Sequence, residues 1–375
     1  MSRHDDPSDD EISAIVDLAQ YRTELCGLCE GYVLRRHESE AEAIKGCEEA
    51  RADWEKHVGS PGPGSANQVD GTFCAIVLPL CLPERLGLVA YVLEYAFLYG
   101  DKFELEQQST EQILDHPAHE CQAHNPAQGK TFIQAAMMSR LNAADDTCTE
   151  RIQLAWKDML RTTIRCKDTP FASLEEYIDF RIVDTGAPFM EATLLFGMGL
   201  TLTAEEDDEL EPVRRPCYAA LGLATDYFSW EREYAVFCSS SSSSETAAHL
   251  SRKTLTNSIW LHMQWQPDIS VAQAKEMTLA ATKRYEKKFL ARCEQYRIEK
   301  SVDIDSKLDR YLKALAYQIP GNAVWSLKCQ RYHEGLDKCT IRQGWQERFW
   351  GWLGWAKGMF GVTIEEFPTE MWGIV

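Results

Sequence analysis

Apolar residues in this sequence recur at the three- and four-residue spacing of α-helices, and the two-residue alternation of half-buried β-strands is nearly absent. The segment from Leu86 to Leu98 is apolar on most faces and predicts a helix buried all round. Pro83 suits the first turn of that helix, where its missing N–H costs no hydrogen bond. Ala272 to Ile298 and Leu308 to Ile319 predict two more helices, the second ended by Pro320-Gly321. The sequence therefore predicts an all-α fold in a single domain.

Net charge, apolar runs and cysteine content limit the partners that the chain can bind and the compartments in which we expect it. The 375 residues hold 39 Lys and Arg against 58 Asp and Glu, a formal net charge of −19. Such a chain is a poor candidate for nucleic-acid binding, which needs a basic surface, although a local basic cluster can still take an anionic small molecule. We expect no transmembrane segment, because no apolar run reaches ~18–20 residues. The chain starts without an apolar signal core and has 13 cysteines, so we expect reduced thiols and a cytoplasmic location.

Composition along the chain predicts its segments. Residues 1–19 are expected to form a disordered acidic tail, and residues 336–375 a Trp-rich C-terminal extension. Three stretches between them are rich in turn-forming or small polar residues and predict loops: Gly59 to Gly71, His116 to Gly129, and the six serines Ser239 to Ser244.

One stripe of oxygen atoms lies on the helical segment from Tyr218 to Tyr234. Thr225, Ser229 and Glu233 follow one another at four-residue spacing, which places them on one helix face. Two hydroxyls and a carboxylate suit a hard ion such as Mg²⁺, which keeps waters and shares the phosphate oxygens of a substrate. Arg232 could hold one of those phosphates. Taken alone, the same spacing also fits a solvated, charged helix face.

Three further motifs carry charge next to apolar helices. Asp101 and Glu104 end the apolar helix at three-residue spacing, as metal ligands in a cleft or as a plain polar helix terminus. Arg181 sits among apolar neighbours and needs an anionic partner if it is buried, and Asp184, three residues later, could be that partner. Arg331 and Tyr332 follow an apolar helix and could donate hydrogen bonds to a phosphate. Each motif is weak by itself, so their order along the chain carries the information.

That order resembles fungal class I terpene cyclases. It consists of an apolar helix ending in carboxylates, Arg-x-x-Asp-x-Gly, x-Asp-x-x-Ser-x-x-(Lys/Arg)-Glu, and Trp-Ser-Leu shortly before Arg-Tyr. The chain is most similar to the cyclase domain of two-domain fungal diterpene and sesterterpene synthases of the fusicoccadiene synthase type, over residues 20–335. The resemblance implies a class I terpene synthase-like helical bundle around an apolar cavity. In that family a Mg²⁺ cluster ionises an allylic diphosphate and the carbocation then cyclises.

The resemblance also implies roles for the motif residues. Arg181 would sense the diphosphate, while Arg232, Arg331 and Tyr332 would bind it. Ser229 and Glu233 match two ligands of one Mg²⁺, in a cluster of up to three ions. The candidate metal ligands are Asp101, Glu104, Thr225, Ser229 and Glu233, and the candidate catalytic residues are Arg181, Asp101 and Glu233.

Two departures from the family pattern touch the metal. Gly100 stands where the first aspartate of the family's aspartate-rich motif would be, and Thr225 stands where the second motif usually has Asn. Gly cannot ligate through a side chain, so Asp101, with Glu104, would have to take over. We therefore expect an altered but working cyclase, and the alternative is a catalytically impaired relative that only binds isoprenoid diphosphates.

The resemblance also leads to expectations about substrate and partners. Geranylgeranyl diphosphate is favoured, and farnesyl diphosphate comes next. The two-domain relatives continue into a prenyltransferase domain, and this sequence does not. We therefore expect either a stand-alone cyclase whose substrate a separate prenyltransferase supplies, or an excised domain. The segment from Trp345 to Val375 holds five of the 11 Trp residues and predicts a helix packed on the bundle or over the cavity mouth. The alternative is a contact with a membrane surface or a partner. A homodimer is one option for the oligomeric state.

Overall fold

The computed structural model describes residues 8–62, 64–65, 72–106, 126–165, 170–240 and 255–333, and the side chains of the helix end at 101–106 are not among what it describes. The predicted all-α fold is confirmed, with one two-stranded ribbon added. The helices are α1 (Asp9–Ile12), α2 (Glu40–His57), α3 (Phe73–Val77), α4 (Pro83–Glu106), α5 (Pro126–Ala144), α6 (Asp146–Arg165), α7 (Leu174–Asp184), α8 (Ala187–Met198), α9 (Ala204–Ser240), α10 (Ser258–Trp265), α11 (Val271–Lys300), α12 (Lys307–Lys328) and α13 (Gln330–His333), with a 3₁₀ turn at Leu18–Tyr21. No helix in these ranges is both long and apolar enough to cross a bilayer.

The prediction of a disordered tail over residues 1–19 is wrong for residues 8–19, because this part of the chain is folded. Strand β1 (Ser13–Val16) pairs antiparallel with β2 (Leu34–His37). Buried Arg35 holds this segment in place, because its guanidinium donates to Ser13 Oγ at 2.8 Å and to Asp10 Oδ1 at 2.6 Å. A buried cation needs such acceptors, and the acidic segment supplies them. The two strands are too short for their alternation to be visible in the sequence.

Helix α4 lies in the core and approaches α2 closely. A Cβ on Gly46 of α2 would lie 2.0 Å from the Gly87 carbonyl oxygen of α4, so only glycine permits this contact. Glu94 is fully buried in the middle of α4. Its carboxylate accepts from the Ser65 N–H at 2.7 Å and from Arg51 Nη1 at 2.9 Å. These bonds fix the chain between α2 and α3 against α4, and Gly100 follows near the end of the same helix.

Helix α12 does not end at Pro320-Gly321 as predicted, but continues to Lys328. The packing explains the difference, because a Cβ on Gly321 would lie 2.1 Å from the Ile76 carbonyl oxygen of α3. Further along, Trp325 donates from Nε1 to the Ser65 carbonyl at 2.8 Å. Tertiary contacts on this helix therefore outweigh the hydrogen bond that proline removes. The extra length carries the chain to the Arg331-Tyr332 pair.

Other predicted segments fall partly or wholly outside the described residues. Helix α5 begins at Pro126, so the last four residues of the loop predicted to end at Gly129 are helical. Helix α9 includes Ser239 and Ser240, while the rest of the serine run is not described. The Trp-rich extension at 336–375 also lies outside, and its predicted boundary stays a prediction. The compact unit that carries all the elements above ends at His333.

Candidate functional site

Arg181 lies in the last turn of α7 and is held by two carboxylates. Its Nη1 donates to Asp184 Oδ2 at 2.5 Å, on the same helix. Its Nε and Nη2 reach Asp226 Oδ1 on α9 at 2.9 and 2.8 Å. The side chain of Arg181 is only 11% exposed. The predicted need for an anionic partner is therefore met twice, by Asp184 as foreseen and by Asp226, which sequence reasoning did not assign.

Asp226 is the centre of this cluster and is 0% exposed. Besides Arg181, it accepts at Oδ2 from the Tyr177 hydroxyl at 2.7 Å and from the Ser258 N–H at 2.9 Å. It thus ties together α7, α9 and the start of α10. A sequence signal was present, since an aspartate in the apolar run Leu-Ala-Thr-Asp-Tyr-Phe needs a buried partner. The partner itself lies 45 residues away and could not be identified from spacing.

Ser229 and Glu233 lie on α9 one turn apart and face each other. Ser229 Oγ donates to Glu233 Oε1 at 2.7 Å, and Ser229 is fully buried. Asn257, to which sequence reasoning gave no role, donates from Nδ2 to Glu233 Oε2 at 3.0 Å and to the Asp226 carbonyl at 2.9 Å. Thr225 lies one turn earlier on α9 and is half-buried. The stripe is therefore not a fully solvated helix face.

Burial and neighbouring charges shift the pKa values of Arg181 and Glu233 in opposite directions. Burial disfavours the guanidinium of Arg181, but Asp226, Tyr177 and Asp184 outweigh it and hold its pKa well above the usual value. Burial raises the pKa of the Glu233 carboxyl, against the lowering effect of Arg181. Arg181 is therefore a permanent buried cation, and Glu233 is a carboxylate that an added cation would stabilise.

Arg331 and Tyr332 lie on α13, where it meets the end of α4. Arg331 Nη1 donates to the Phe97 carbonyl at 3.3 Å, and its guanidinium lies 5.3 Å from the Phe97 ring centre. A Cβ on Gly100 would come within 3.7 Å of Arg331 Nη2. Burial raises the pKa of Tyr332, with a further contribution from the charge of Glu233. The Tyr332 hydroxyl is therefore within electrostatic reach of the α9 stripe.

The structure thus brings most predicted site residues to one region. Arg181, Ser229 and Glu233 share one hydrogen-bonded network through Asp226 and Asn257. Arg232 is half-buried. Burial raises the pKa of the Cys329 thiol between α12 and α13, and the nearby charge of Arg232 lowers it, so Arg232 lies near Arg331 and Tyr332. Asp101 and Glu104 follow Gly100 on α4, but their side chains are outside the described part of the chain.

The oxygen atoms of this network are of the kind that a hard cation binds, but they are too few to hold such an ion without water or substrate oxygens. Ser229 and Glu233 offer a hydroxyl and a carboxylate within 2.7 Å of each other. Among the described side chains, no three His, Cys, Asp or Glu residues converge as a ready-made metal cage. A Mg²⁺ ion that keeps waters and binds substrate phosphates needs only one or two protein carboxylates, so Glu233 and its neighbour can serve.

The helical architecture is shared with solved terpene synthases. Aristolochene synthase from Penicillium roqueforti aligns with a TM-score of 0.52 and 19% identity, over 68% of this chain and 82% of that one. Hedycaryol synthase aligns with a TM-score of 0.59 and 15% identity, over 79% of this chain and 95% of that one. At this identity the likeness defines the fold, which is that of the class I terpene synthases.

The sequence comparisons give the family. A family model described as terpene synthase family 2, C-terminal metal binding, matches residues 95–288. Variediene synthase of Emericella variicolor is 41% identical over 84% of this chain and 44% of its own length. Terpene cyclase ATR13 of Stachybotrys chlorohalonatus is 36% identical over 86% of each chain. The chain therefore belongs to the terpene synthase family. It spans less than half the length of variediene synthase.

Proposed function

We propose that this chain is a Mg²⁺-dependent terpene cyclase that ionises and cyclises a linear isoprenoid diphosphate, with release of a terpene and diphosphate. The observation that carries the proposal is the network of Arg181, Asp226, Asn257, Glu233 and Ser229, which puts a buried cation beside the oxygen atoms that we propose as metal ligands. Geranylgeranyl diphosphate is the favoured substrate, and farnesyl diphosphate comes next. Family membership supports the reaction class.

The proposed chemistry divides between the metal and the protein. Bound Mg²⁺ would neutralise the diphosphate oxygens on which negative charge develops as the C–O bond breaks. Glu233 and Ser229 would hold the ion, with Thr225 as a third donor on the same helix face. Asn257 orients the Glu233 carboxylate through Oε2 and leaves Oε1 directed at Ser229. The other metal ligands in the proposal are Asp101 and Glu104.

The diphosphate would be bound by cations from three helices. Arg181 would donate charge-assisted hydrogen bonds from the guanidinium N–H groups that face away from its carboxylate partners. Arg232 and Arg331 would add charge from α9 and α13, and Tyr332 would donate from its hydroxyl. These groups would also cover the metal and exclude bulk water, which would otherwise quench a carbocation early.

A second candidate function is favoured by one observation at Gly100. This residue offers no side-chain ligand, and Arg331 Nη2 lies 3.7 Å from where a side chain would begin. A cation close to a metal position weakens metal binding. The alternative is therefore a relative that binds isoprenoid diphosphates without turning them over.

The proposal extends to the cellular location, the origin of the substrate and the oligomeric state. The described cysteines are free thiols, and most of them are buried, which suits a reducing compartment and supports a cytoplasmic location. An allylic diphosphate substrate has to be made by a prenyltransferase reaction. A homodimer is the proposed assembly, and size-exclusion chromatography of the full chain would test it.

The test of function is a substrate panel. Purified protein with Mg²⁺ is incubated in parallel with farnesyl, geranylgeranyl and geranylfarnesyl diphosphate, and the extracts are analysed by gas chromatography with mass spectrometry. We expect a cyclic C20 product from geranylgeranyl diphosphate. If all three substrates stay intact while they raise the melting temperature of the protein, the binding-only alternative replaces the cyclase.

A further inference from the structure

The outer face of helix α11 carries a dense run of cations. Five of the ten residues from 283 to 292 are basic, namely Lys283, Arg284, Lys287, Lys288 and Arg292. Lys283 is half-buried and the other four are exposed, and none of the five forms an ion pair with a residue that the structure describes. The acidic residue of this stretch is buried, with 4% exposure. A chain with a net charge of −19 thus presents a strongly basic surface here.

Like charges follow one another at four-residue spacing along this face. Lys283 and Lys287 form the first such pair, and Lys288 forms two more, with Arg284 before it and Arg292 after it. Like-charge pairs at this spacing destabilise a helix, whereas pairs of opposite charge stabilise it. The run is therefore unfavourable within one copy of the chain, and an anionic surface placed against it would remove the repulsion.

Towards the end of α11 the same face becomes acidic and apolar. Glu294 and Glu299 are exposed, and Ile298 between them is 69% exposed. Neither glutamate forms an ion pair with a described residue, although Glu299 accepts a hydrogen bond from Gln295 at 2.7 Å. The face therefore has a basic first half and an acidic second half, and exposed Ala291 lies between them.

Helix geometry makes this face complementary to itself. Successive residues are about 100° apart around the helix, so Lys287, four residues before Ala291, and Glu294, three residues after it, lie on the same side of it. A two-fold axis at Ala291 that pairs α11 antiparallel with α11 of a second copy places Lys287 of each copy opposite Glu294 of the other. The small Ala291 side chain permits a close approach at the axis. Ile298 would then cover the methylene stem of Arg284 in the other copy.

We infer that the outer face of α11, residues 283–299, is the surface through which two copies of this chain associate. The inference rests on the homodimer of the proposed function, to which it gives a contact surface, and it is independent of the cyclase reaction. The net charge of −19 opposes association, but salt at about 0.1 M screens exposed charges beyond about 10 Å, so the complementary pairs in the contact act against a weakened repulsion. One helix pair buries less than the ~1,200–2,000 Å² of a standard interface, so we expect a weak dimer with a Kd on the order of 10–100 µM.

The experiment measures self-association of the full chain by sedimentation velocity over a range of protein concentrations that spans this Kd. Lys287→Glu and Glu294→Lys each put two like-charge pairs into the dimer, and we expect each to weaken association about tenfold or more. An equimolar mixture of the two variants should associate as the parent does, because opposite charges meet again in the heterodimer. Lys56→Glu is the matched control, since it makes the same charge change at an exposed position of α2.

Both α11 positions are exposed, and Lys287→Glu also removes the repulsion from Lys283, so we expect the variants to fold; melting temperatures of dilute protein check this. A parent dimer that neither variant weakens would overturn the inference and leave the homodimer standing. Association that both variants lose and their mixture does not regain would overturn the pairing of Lys287 with Glu294. A parent that stays monomeric at every concentration would overturn the inference and the homodimer together. Diphosphate release, which tests the cyclase proposal separately, should stay at the parent level in all three variants.

Discussion

Replacing Asp226 by Asn should destabilise the protein strongly, because this residue is the buried anion that holds Arg181. In the structure, Oδ1 accepts both bonds from Arg181, and Oδ2 accepts from Tyr177 and Ser258. An amide group can replace only one oxygen, so either orientation of Asn leaves two donors facing an NH₂ group. Among the described residues, the variant leaves Asp184 as the carboxylate that still pairs with the guanidinium.

The size of the effect follows from the burial of the pair. Removing one partner of a buried ion pair costs about 3–5 kcal/mol. Each kcal/mol lowers the melting temperature by about 2–4 °C in domains of 150–250 residues. For this larger domain we use the lower slope and expect a fall of about 6–10 °C. Asp184→Asn should cost less, because Asp184 gives Arg181 one bond and is less deeply buried.

A double-mutant cycle tests the cause. Thermal unfolding is followed by intrinsic fluorescence for Asp226→Asn, for Arg181→Met and for the double variant. The Asp226→Asn effect should shrink in the Arg181→Met background, since no buried cation is then left unpaired. The reasoning fails if Asp226→Asn melts within about 2 °C of the parent, or if it costs as much without Arg181 as with it.

Three further predictions concern single residues. Arg181→Lys should lose the thermal stabilisation that Mg²⁺ plus inorganic diphosphate gives the parent, and unchanged stabilisation would refute the sensor role. Asp101→Asn should lower Mg²⁺-dependent turnover more than Glu104→Gln, and equal effects of the two would refute a takeover by Asp101. Gly100→Asp should fold, since its Cβ would meet no atom of the described residues closer than 3.7 Å. Burial raises the pKa of Glu286 from 4.5 to about 7, so its stabilising contribution is complete below pH 4.5 and lost as the pH rises through 7. In chemical denaturation, Glu286→Gln should therefore gain stability relative to the parent by up to about 3 kcal/mol between pH 5 and 8, and a constant difference would contradict the shift.

Much of the fold followed from periodicity, because a long apolar stripe has few structures available to it. The helix predicted at 272–298 is α11, which runs from Val271 to Lys300. Pro83 is the first residue of α4, as its position predicted. Predictions from local sequence, such as a helix end at a proline, were wrong where tertiary contacts outweigh the local preference. Pro320 stays inside α12 because the helix on either side of it is buried against its neighbours.

The candidate site was predictable in its motifs but not in its connections. Spacing on one helix was sufficient to pair Arg181 with Asp184, and to place Ser229 beside Glu233. Asp226 and Asn257 could not be connected to them in this way, because their partners come from other helices. The burial of Gln318, Asn322 and Ser326 on α12 could not be predicted either, because these residues are polar in the sequence and only the fold shows that they are buried.

The most direct test of the cyclase proposal is diphosphate release from geranylgeranyl diphosphate as a function of Mg²⁺ concentration. Glu233→Gln removes the carboxylate proposed to hold the ion, and Glu231→Gln is the matched control, an exposed residue two positions earlier that pairs with Lys275 at 3.1 Å. We expect release by the parent and by Glu231→Gln, none with a chelator, and a loss of about 100-fold or more in Glu233→Gln. Equal diphosphate release by folded Glu233→Gln and by the parent protein, or release that does not depend on Mg²⁺, would contradict the cyclase proposal.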